Sequence, residues 1–551
     1  MRLLVAALVS ALTLAAQTPR LTEVQERRLT NGVRVLLAEH RGLPAFHATL
    51  VFRGGWAEEP TAGASELLAR ALYGASWPED VEPTRAATDL EPLLKQEEGL
   101  LEALRLERLR QRSDPAGASA KADLESRLEA VQTRLRAQFA SSPLDDLYTA
   151  RGGRQVAEAT ADALLAHMEL PSEAFETWCR TEAQRLWTLQ LSRFSQVRAT
   201  LAAELRAQGT QGPALLRGAA LPGHPYGRDL ADHLPALEAL RRSDLQTLAR
   251  RTLRPDHLMV ILIGGLDLAS ALPVLERHLG RLPIPPEGED TLLPEIPADL
   301  GDRRVQAALG SAPSLLCGWR IPARRHPDHL ALRLAAELLG AGPSARLESR
   351  LVRQKALAMQ VELRMDLPGA RLPGLLVIGA KPADGHSLAE LEGALHGEVL
   401  RLQQDPIPQE EWQRALAQLE ADHIRVVDHP AALARALGLA WAEGGDWRLL
   451  DSEAQRLRTL TPESVQAAAR AWLRPSHRTT VLLEPVAGGA LNPQEAALTR
   501  VLQALASLRL EDPARRERMV AEGLRQLRML TPEERQRTLK LLEAQLTPEK
   551  R

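Results

Sequence analysis

An internal repeat constrains the fold of this chain more than any other feature of its sequence. Residues 245–257 recur as residues 465–477, so that Gln246 is matched by Gln466. Each copy has the pattern of an amphipathic helix that ends at an Arg-Pro pair and is followed by an apolar, strand-like run. The repeat therefore predicts two related domains, each built from helices and strands.

An earlier strand and helix are expected to repeat as well. A strand at 46–52 with a helix at 63–73 has a counterpart in a strand at 314–321 with a helix at 327–339. The first copy is longer because two charged, Leu-rich runs with helical periodicity, broken at 113–117, lie inside it. This pattern is typical of an inserted helical hairpin.

These patterns give the domain boundaries. We expect an N-terminal domain at 20–283 with the hairpin at about 89–139, a Pro-rich linker at 284–303, a C-terminal domain at 304–487 and a helical tail at 492–551. The fold class is α+β. Two homologous α/β-sandwich domains, with helices packed on mostly antiparallel sheets, are expected to form a clam-shell.

The first 16 residues have the pattern of an export signal. They contain Arg2, a short apolar run and small residues at its end. The run is too short for a membrane span, and no later run is long enough either. We expect cleavage near Ala16 and a periplasmic or secreted mature chain, and the alternative is a first helix of the fold.

Charge and cysteine content exclude two classes of protein. The 69 basic and 71 acidic residues leave a net charge of −2, whereas nucleic-acid binding needs a basic surplus. Two cysteines, Cys179 and Cys317, are too few for a disulfide scaffold. They fall in different expected domains, so we predict two buried thiols.

Short motifs rich in Gly, Pro and aromatic residues lie at separate places in both copies. In the first copy they occupy 29–36, 52–63, 224–227 and 263–267, and in the second copy 344–358 and 445–447. Together they resemble the pitrilysin/insulinase family of zinc peptidases, the inverzincins, in its two-domain bacterial processing-peptidase-like subgroup. The resemblance covers residues 25–486.

The resemblance implies a zinc site that this sequence lacks. Active members carry H-x-x-E-H on the first long helix, where the two His bind zinc and the Glu activates water. The matching positions here are Glu66, Ala69 and Arg70, and no two of the 14 His lie four residues apart. On a later helix, Glu204 keeps the third-ligand position, whereas Val197 replaces a supporting Glu.

Arginine is always protonated and cannot bind zinc. We therefore expect no catalytic residue, no metal ligand and no cofactor, although active relatives use zinc. Two arrangements of the former site remain open. Either Glu66 and Glu204 pair with Arg70 in a metal-free cluster, or all three side chains point separately into solvent.

The positions that hold substrate in active relatives are also changed. The edge-strand Asn of the family has no counterpart at 156–160, and Met359 stands where many members have a Tyr. Arg350 or Arg353 is a candidate for a carbonyl-binding Arg, and a solvated helix face is the simpler interpretation. His326 and His329, three residues apart, are interpreted as a polar helix start.

Three functions remain possible. The first is a catalytically inactive homologue that binds peptide or unfolded polypeptide as the non-catalytic subunit of a heterodimer with an active zinc peptidase. The second is an active zinc metalloendopeptidase that uses Glu66, Glu204 and a third, unidentified ligand. The third is a structural envelope protein. Bound zinc would support the second function only.

Overall fold

The computed structural model describes residues 24–40, 42–72, 83–113, 118–138, 148–187, 189, 191, 193–209, 211–284, 293–296, 301–309, 312–340, 342, 344–485 and 538. The expected signal segment at 1–16, most of the tail and parts of the linker lie outside these residues. The described residues between 24 and 305 and between 314 and 482 form one compact unit, and the described residues of 306–313 and 483–485 fall in a second.

The first sheet has six strands in the order β1–β2–β6–β3–β5–β4. Its strands are β1 (Gln25–Arg28), β2 (Arg34–Glu39), β3 (Ala45–Arg53), β4 (Arg154–Ala159), β5 (Ala163–Pro171) and β6 (Leu258–Gly264). Strands β2 and β6 are parallel, and the other neighbours are antiparallel.

The second sheet repeats this order. Its strands are β7 (Arg303–Ala308), β8 (Ser314–Ile321), β9 (Ala358–Leu367), β10 (Gly374–Pro382) and β11 (Arg478–Glu484), arranged β7–β11–β8–β10–β9. Each of these strands has a counterpart in the first sheet: β7 corresponds to β2, β11 to β6, β8 to β3, β10 to β5 and β9 to β4. The repeated segments of the sequence therefore occupy equivalent places, and the expected α+β class is confirmed.

Helices connect and cover the strands. They are α1 (Ala64–Leu72), α2 (Pro83–Ser113), α3 (Ala118–Gln138), α4 (Phe175–Trp187), α5 (Phe194–Gln208), α6 (Gly212–Ala220), α7 (Leu234–Ala239), α8 (Arg242–Thr252), α9 (Leu268–His278), α10 (His329–Gly340), α11 (Leu388–Gln404), α12 (Gln409–Asp428), α13 (Pro430–Gly444), α14 (Leu449–Leu457) and α15 (Pro462–Trp472). Helices α2 and α3 pack on each other as the inserted hairpin. Within the described residues, no helix combines the length and the apolar character that a bilayer span requires.

Each sheet has a core on one face. Residues Phe46, Leu50 and Phe52 of β3 point to the first core, which contains α1, α4, α5, α8 and α9. The second core joins the second sheet to α10, α11, α12 and α15. Cys179 is buried in the first core and Cys317 in the second, and both are free thiols, as the sequence predicts.

The opposite face of each sheet is covered by a helix from the other copy. Helix α13 of the second copy places Leu433, Leu437 and Trp441 against Val51 and Ile261 of the first sheet. In return, α6 of the first copy packs on β8 of the second sheet. Because α6 follows α5 as α13 follows α12, the two helices are equivalent and the exchange is reciprocal.

Glycine allows the close approach of the exchanged helices. A Cβ added at Gly438 of α13 would lie 2.5 Å from Cγ2 of Val51 in β3, closer than van der Waals contact permits. On the other side, a Cβ added at Gly318 of β8 would lie 3.1 Å from the side chain of Leu216 in α6. Small residues at these two points therefore set the distance between helix and sheet.

We predict that Gly438→Leu lowers the free energy of unfolding by about 1–3 kcal/mol, because the added side chain overpacks the interface with Val51. The control is Gly393→Leu in α11, where an added Cβ meets nothing within 4 Å. That variant should be neutral or more stable, since glycine is a poor helix former. Urea unfolding of both variants is the measurement, and equal stability would contradict the close approach.

Candidate functional site

A buried carboxylate fixes the start of α1, the helix that carries Glu66, Ala69 and Arg70. Glu59 is 4% exposed and accepts hydrogen bonds from the backbone N–H groups of Gly63 and Ser65, both at 2.7 Å. Burial raises the pKa of Glu59 to about 6, although these hydrogen bonds oppose the shift. The anchored first turn orients Glu66 and Arg70, which are four residues apart and share one helix face.

Arg70 joins the carboxylates of Glu66 and Glu204. Its Nε donates to Oε1 of Glu66 and its Nη1 donates to Oε2 of Glu204 on α5, each at 2.7 Å. The side chains are 34%, 28% and 45% exposed in the order Arg70, Glu66, Glu204. Partial burial opposes the charge of Arg70, but the two hydrogen bonds outweigh it and raise the pKa of the guanidinium. Of the two arrangements that the sequence left open, the structure therefore has the first, in which Glu66 and Glu204 both pair with Arg70.

This donor set does not fit zinc. The guanidinium has no lone pair for a metal, and it lies between the two carboxylates that remain. The neighbouring positions are apolar, with Ala69 buried in the first core and Val197 packed against it. Across the described parts of the chain, no group of three or more His, Cys, Asp or Glu side chains is placed to hold a metal ion.

The equivalent helix of the second copy also carries a charged pair. Arg333 and Glu337 are the charged residues on α10 that interrupt its buried positions, with the signs reversed relative to Glu66 and Arg70. Burial raises the pKa of Glu337 to about 7, and Asp422 on α12 adds to the shift while Arg333 opposes it. Helix α10 of the second copy therefore carries a partly buried acid whose pKa is raised.

The positions expected to contact substrate differ in their exposure and in their contacts. Val156 is 56% exposed on the edge strand β4, and Met359 is 67% exposed on β9, the edge strand of the second sheet. Arg350 donates to Oε2 of the buried Glu398 at 2.7 Å, so its guanidinium is engaged. Arg353 is exposed. An apolar side chain therefore stands on each edge strand.

Glu158 ties edge strand β4 to the second copy. It accepts a hydrogen bond from Nε2 of His167 at 3.3 Å, and one from Nε of Arg435 on α13 at 2.7 Å. These contacts, with His167 the largest influence, lower the pKa of Glu158 to about 2. The exchanged helix α13 thus holds edge strand β4 in place.

His326 and His329 lie at the start of α10, as expected. The ring Nδ1 of His326 accepts the backbone N–H of Asp328, and His329 is paired with Asp366 at 2.7 Å. Both rings are engaged in local contacts, which supports their interpretation as a polar helix start.

Several motifs that resemble the family join the two copies. The hydroxyl of Tyr226 donates to Oδ1 of the buried Asp162. The other oxygen of Asp162 accepts the backbone N–H groups of Ala370 and Arg371 from the second copy, at 3.0 and 3.2 Å. Gly55 has room for no Cβ, since it would lie 2.2 Å from the carbonyl oxygen of Thr160. These residues keep a structural role that does not depend on zinc.

A second ion cluster was not expected from the sequence. Arg324 donates to both oxygens of Glu453 and to Glu443, each at 2.9 Å, and all three side chains are 10–13% exposed. They line a cavity of about 570 Å³. Burial raises the pKa of Glu443 to about 7, although Arg324 opposes the shift. Nothing in the local sequence distinguishes Arg324 from its neighbour Arg325, so only the structure identifies the cluster.

Replacing the central arginine should cost more stability in the Arg324 cluster than in the Arg70 cluster. Arg324→Met leaves Glu443 and Glu453 buried without their partner, so we predict a loss of about 3–5 kcal/mol in unfolding free energy. Arg70→Met should cost less than about 1 kcal/mol, because its partners remain hydrated. Urea unfolding at pH 7.5 measures both, and a similar cost for the two variants would contradict the assignment.

Glu337 predicts a pH-dependent stability. Its pKa of about 7 in the folded chain lies above the ordinary value of 4.5, so the folded state holds the proton more tightly. The stability that Glu337 contributes is therefore lost as the pH rises from about 4.5 through about 7. Glu337→Gln should exceed the wild type by roughly 1–3 kcal/mol at pH 8, with a smaller difference at pH 5.

Thermal or urea unfolding at the two pH values tests this prediction. The control is Glu362→Gln, whose side chain is 51% exposed on β9. It should show the same difference from the wild type at both pH values. A Glu337→Gln variant that gains no stability at pH 8 would contradict the assigned burial of the acid.

The comparisons with known proteins agree with this architecture. Residues 239–419 match the family model of the Peptidase M16 inactive domain. An uncharacterised zinc protease of Mycobacterium leprae is 25% identical over 266 residues, which are 47% of this chain. The matched region spans only 58% of that relative.

Solved structures share the fold at low sequence identity. A protease from Helicobacter pylori matches with a TM-score of 0.68 and 16% identity, over 85% of this chain and all of that chain. A chain of Complex III2 from Candida albicans has a TM-score of 0.60, 12% identity and coverages of 84% and 96%. The first half of the periplasmic protease PqqL from Escherichia coli has a TM-score of 0.62, 13% identity and coverages of 88% and 96%. The motifs, the duplicated fold and the match to the inactive domain together support a member of the pitrilysin/insulinase family, M16, of the inactive type.

Proposed function

We propose that this chain is the non-catalytic, peptide-binding subunit of a heterodimer, in which an active zinc peptidase of the same family is the partner. The observation that carries the proposal is the ion cluster of Arg70 with Glu66 and Glu204. The resemblance to active relatives assigns zinc to these positions, and the two-sheet fold of such relatives is present here. The chain acts after export, in the periplasm or outside the cell.

The chemistry of the cluster argues against independent catalysis. A zinc ion would have to displace the guanidinium of Arg70 and break two ion pairs of 2.7 Å to reach Glu66 and Glu204. Even then, two carboxylates are fewer than the three protein ligands of a catalytic zinc site. Ala69 offers no general base for the attacking water. An atypical zinc peptidase is therefore disfavoured.

The edge strands support a peptide-binding role. Strands β4 and β9 end their sheets, and an extended peptide can add to such an edge through backbone hydrogen bonds. Exposed Val156 and Met359 offer apolar contacts there. Peptide binding of this kind needs no metal, so it survives the changes at the former zinc site.

Two structural neighbours come from larger assemblies or larger proteins. One is a chain of Complex III2, and another is the first half of a periplasmic protease. Each is therefore one part of a larger molecule or complex. This supports the pairing and the compartment that we propose for the present chain.

A restored motif tests the former metal site. We predict that Glu66→His, Ala69→Glu, Arg70→His and Val197→Glu together recover one zinc per chain, because Glu204 then completes a set of two His and one Glu. The wild type should hold no stoichiometric zinc at neutral pH. Elemental analysis after gel filtration is the measurement.

The matched control adds Glu204→Gln to the fourfold variant and should lose the metal. Circular dichroism establishes that each variant is folded. A folded fourfold variant without zinc would show that Glu204 is misplaced, and one tightly held zinc in the wild type would overturn the proposal of an inactive site.

The partner is tested by co-expression of this chain with each intact H-x-x-E-H relative from its own genome. We predict co-elution with one of them in size exclusion at a 1:1 ratio, with an interface above about 1,000 Å². Peptide hydrolysis by that relative should rise when this chain is added. Elution as a separate monomer in every case, with no change in any activity, would disprove the heterodimer and favour a structural envelope role.

A further inference from the structure

One end of the contact between α13 and the first sheet is polar and contains histidine. Residues of β3 alternate between the two faces of the sheet, so His47 and Thr49 share the face of Val51, which α13 covers. His47 is 8% exposed and Thr49 is fully buried. A third residue, His429, immediately precedes the first residue of α13. The surface on which the exchanged helix docks is therefore only partly apolar.

Thr49 connects two of the histidines. Its Oγ1 lies 3.2 Å from Nε2 of His47 and 3.0 Å from Nδ1 of His167 on β5. The centroids of the two imidazole rings are 6.0 Å apart. His167 also contacts Glu158 through Nε2 at 3.3 Å, and Glu158 is paired with Arg435 of α13. A continuous series of polar contacts thus runs from the buried His47 to the helix of the second copy.

The surroundings of His47 disfavour a positive charge. Burial lowers the pKa of His47 to about 4, and the charges of His167 and His429 add to the shift. His429 lies at the start of α13, where the helix dipole is positive. The docked contact therefore accepts the neutral imidazole, and a proton on His47 would bring a poorly solvated charge into it.

The carboxylates near His47 are poorly placed to offset such a charge. Glu158 is already engaged with its two partners. Glu169 lies opposite His47 in the pairing of β3 with β5, but its side chain is exposed, as is that of Asp428 just before the start of α13. Strand β6, the other neighbour of β3, places apolar Ile263 opposite His47. Solvated carboxylates compensate a buried cation only weakly.

We propose that the histidine cluster of His47, His167 and His429 makes the docking of α13 on the first sheet sensitive to acid. Below about pH 6, where imidazoles take up protons, the cluster becomes a group of like charges at the contact. Their repulsion opposes the apolar packing of α13, so the start of this helix separates more often from the sheet and from edge strand β4. This switch needs no ligand and no partner chain, so it does not depend on the proposed peptide-binding role.

The direction of the effect follows from the proton balance. When α13 lifts and water reaches the ring, the pKa of His47 returns from about 4 toward its ordinary value of 6.5, so the open state binds the proton more tightly. The stability of the docked state is therefore complete above this range and is lost as the pH falls from about 6.5 through about 4. Opening of the contact should be at least about tenfold more favourable at pH 5 than at pH 7.5.

Hydrogen–deuterium exchange of the full mature chain at pH 7.5 and pH 5, followed by mass spectrometry and corrected for intrinsic exchange rates, measures this opening. The amides of α13 should lose protection by about tenfold or more at pH 5. Helix α8, which packs in the first core and contains no histidine, should keep its protection. Equal protection of α13 at the two pH values would overturn the proposal.

Three variants assign the effect to the cluster. His47→Gln keeps a polar side chain beside Thr49 without a basic ring, so most of the acid-induced loss of α13 protection should disappear. His429→Gln changes an exposed side chain that folding does not require, and it should reduce the loss by a smaller factor. The control is His386→Gln, which removes a surface histidine paired with Glu390 and should respond to acid as the wild type does. An unchanged acid response in folded His47→Gln, or in His429→Gln, would refute the role of the cluster.

Discussion

Strand β6 is buried at each of its seven positions, so both faces of the first sheet must be covered. Helices of the first copy cover only one face, and α13 of the second copy covers the other. The second sheet depends in the same way on α6. Two further contacts join the copies. Asp162 accepts the backbone N–H of Ala370, and Glu158 of edge strand β4 is paired with Arg435 of α13. The two copies therefore stabilise each other, because each sheet would have one apolar face uncovered without the other copy.

The contacts that hold the fold together do not depend on a metal ion. The contacts of Tyr226 with Asp162, and of Glu59 with the start of α1, involve no metal ligand. Arg70 supplies positive charge between Glu66 and Glu204, so two carboxylates that would otherwise repel each other are held together. These ion pairs balance the charges where α1 meets α5.

The sequence predicted the elements that depend on local pattern. Strand β8 is found at its expected residues, α1 begins one residue later than expected, and the charged runs of the hairpin form α2 and α3. The exchange of α6 and α13 was not predictable, because their amphipathic patterns do not reveal which sheet they cover. The same holds for the cluster of Arg324, whose partners lie 119 and 129 residues away. Whether Arg70 would pair or face solvent was open for a similar reason, since Glu204 is 134 residues distant.

The exchanged helix also orders events during synthesis. Arg53 at the end of β3 contacts Trp441 of α13, both by a hydrogen bond to its carbonyl oxygen and by the stacking of its guanidinium on the indole ring, across 388 residues of chain. Until the ribosome has made α13, the first sheet keeps one apolar face open to water or to other chains. Such long-range contacts slow folding and expose the nascent chain to aggregation. The fold therefore requires that its N-terminal half be protected until its C-terminal half arrives.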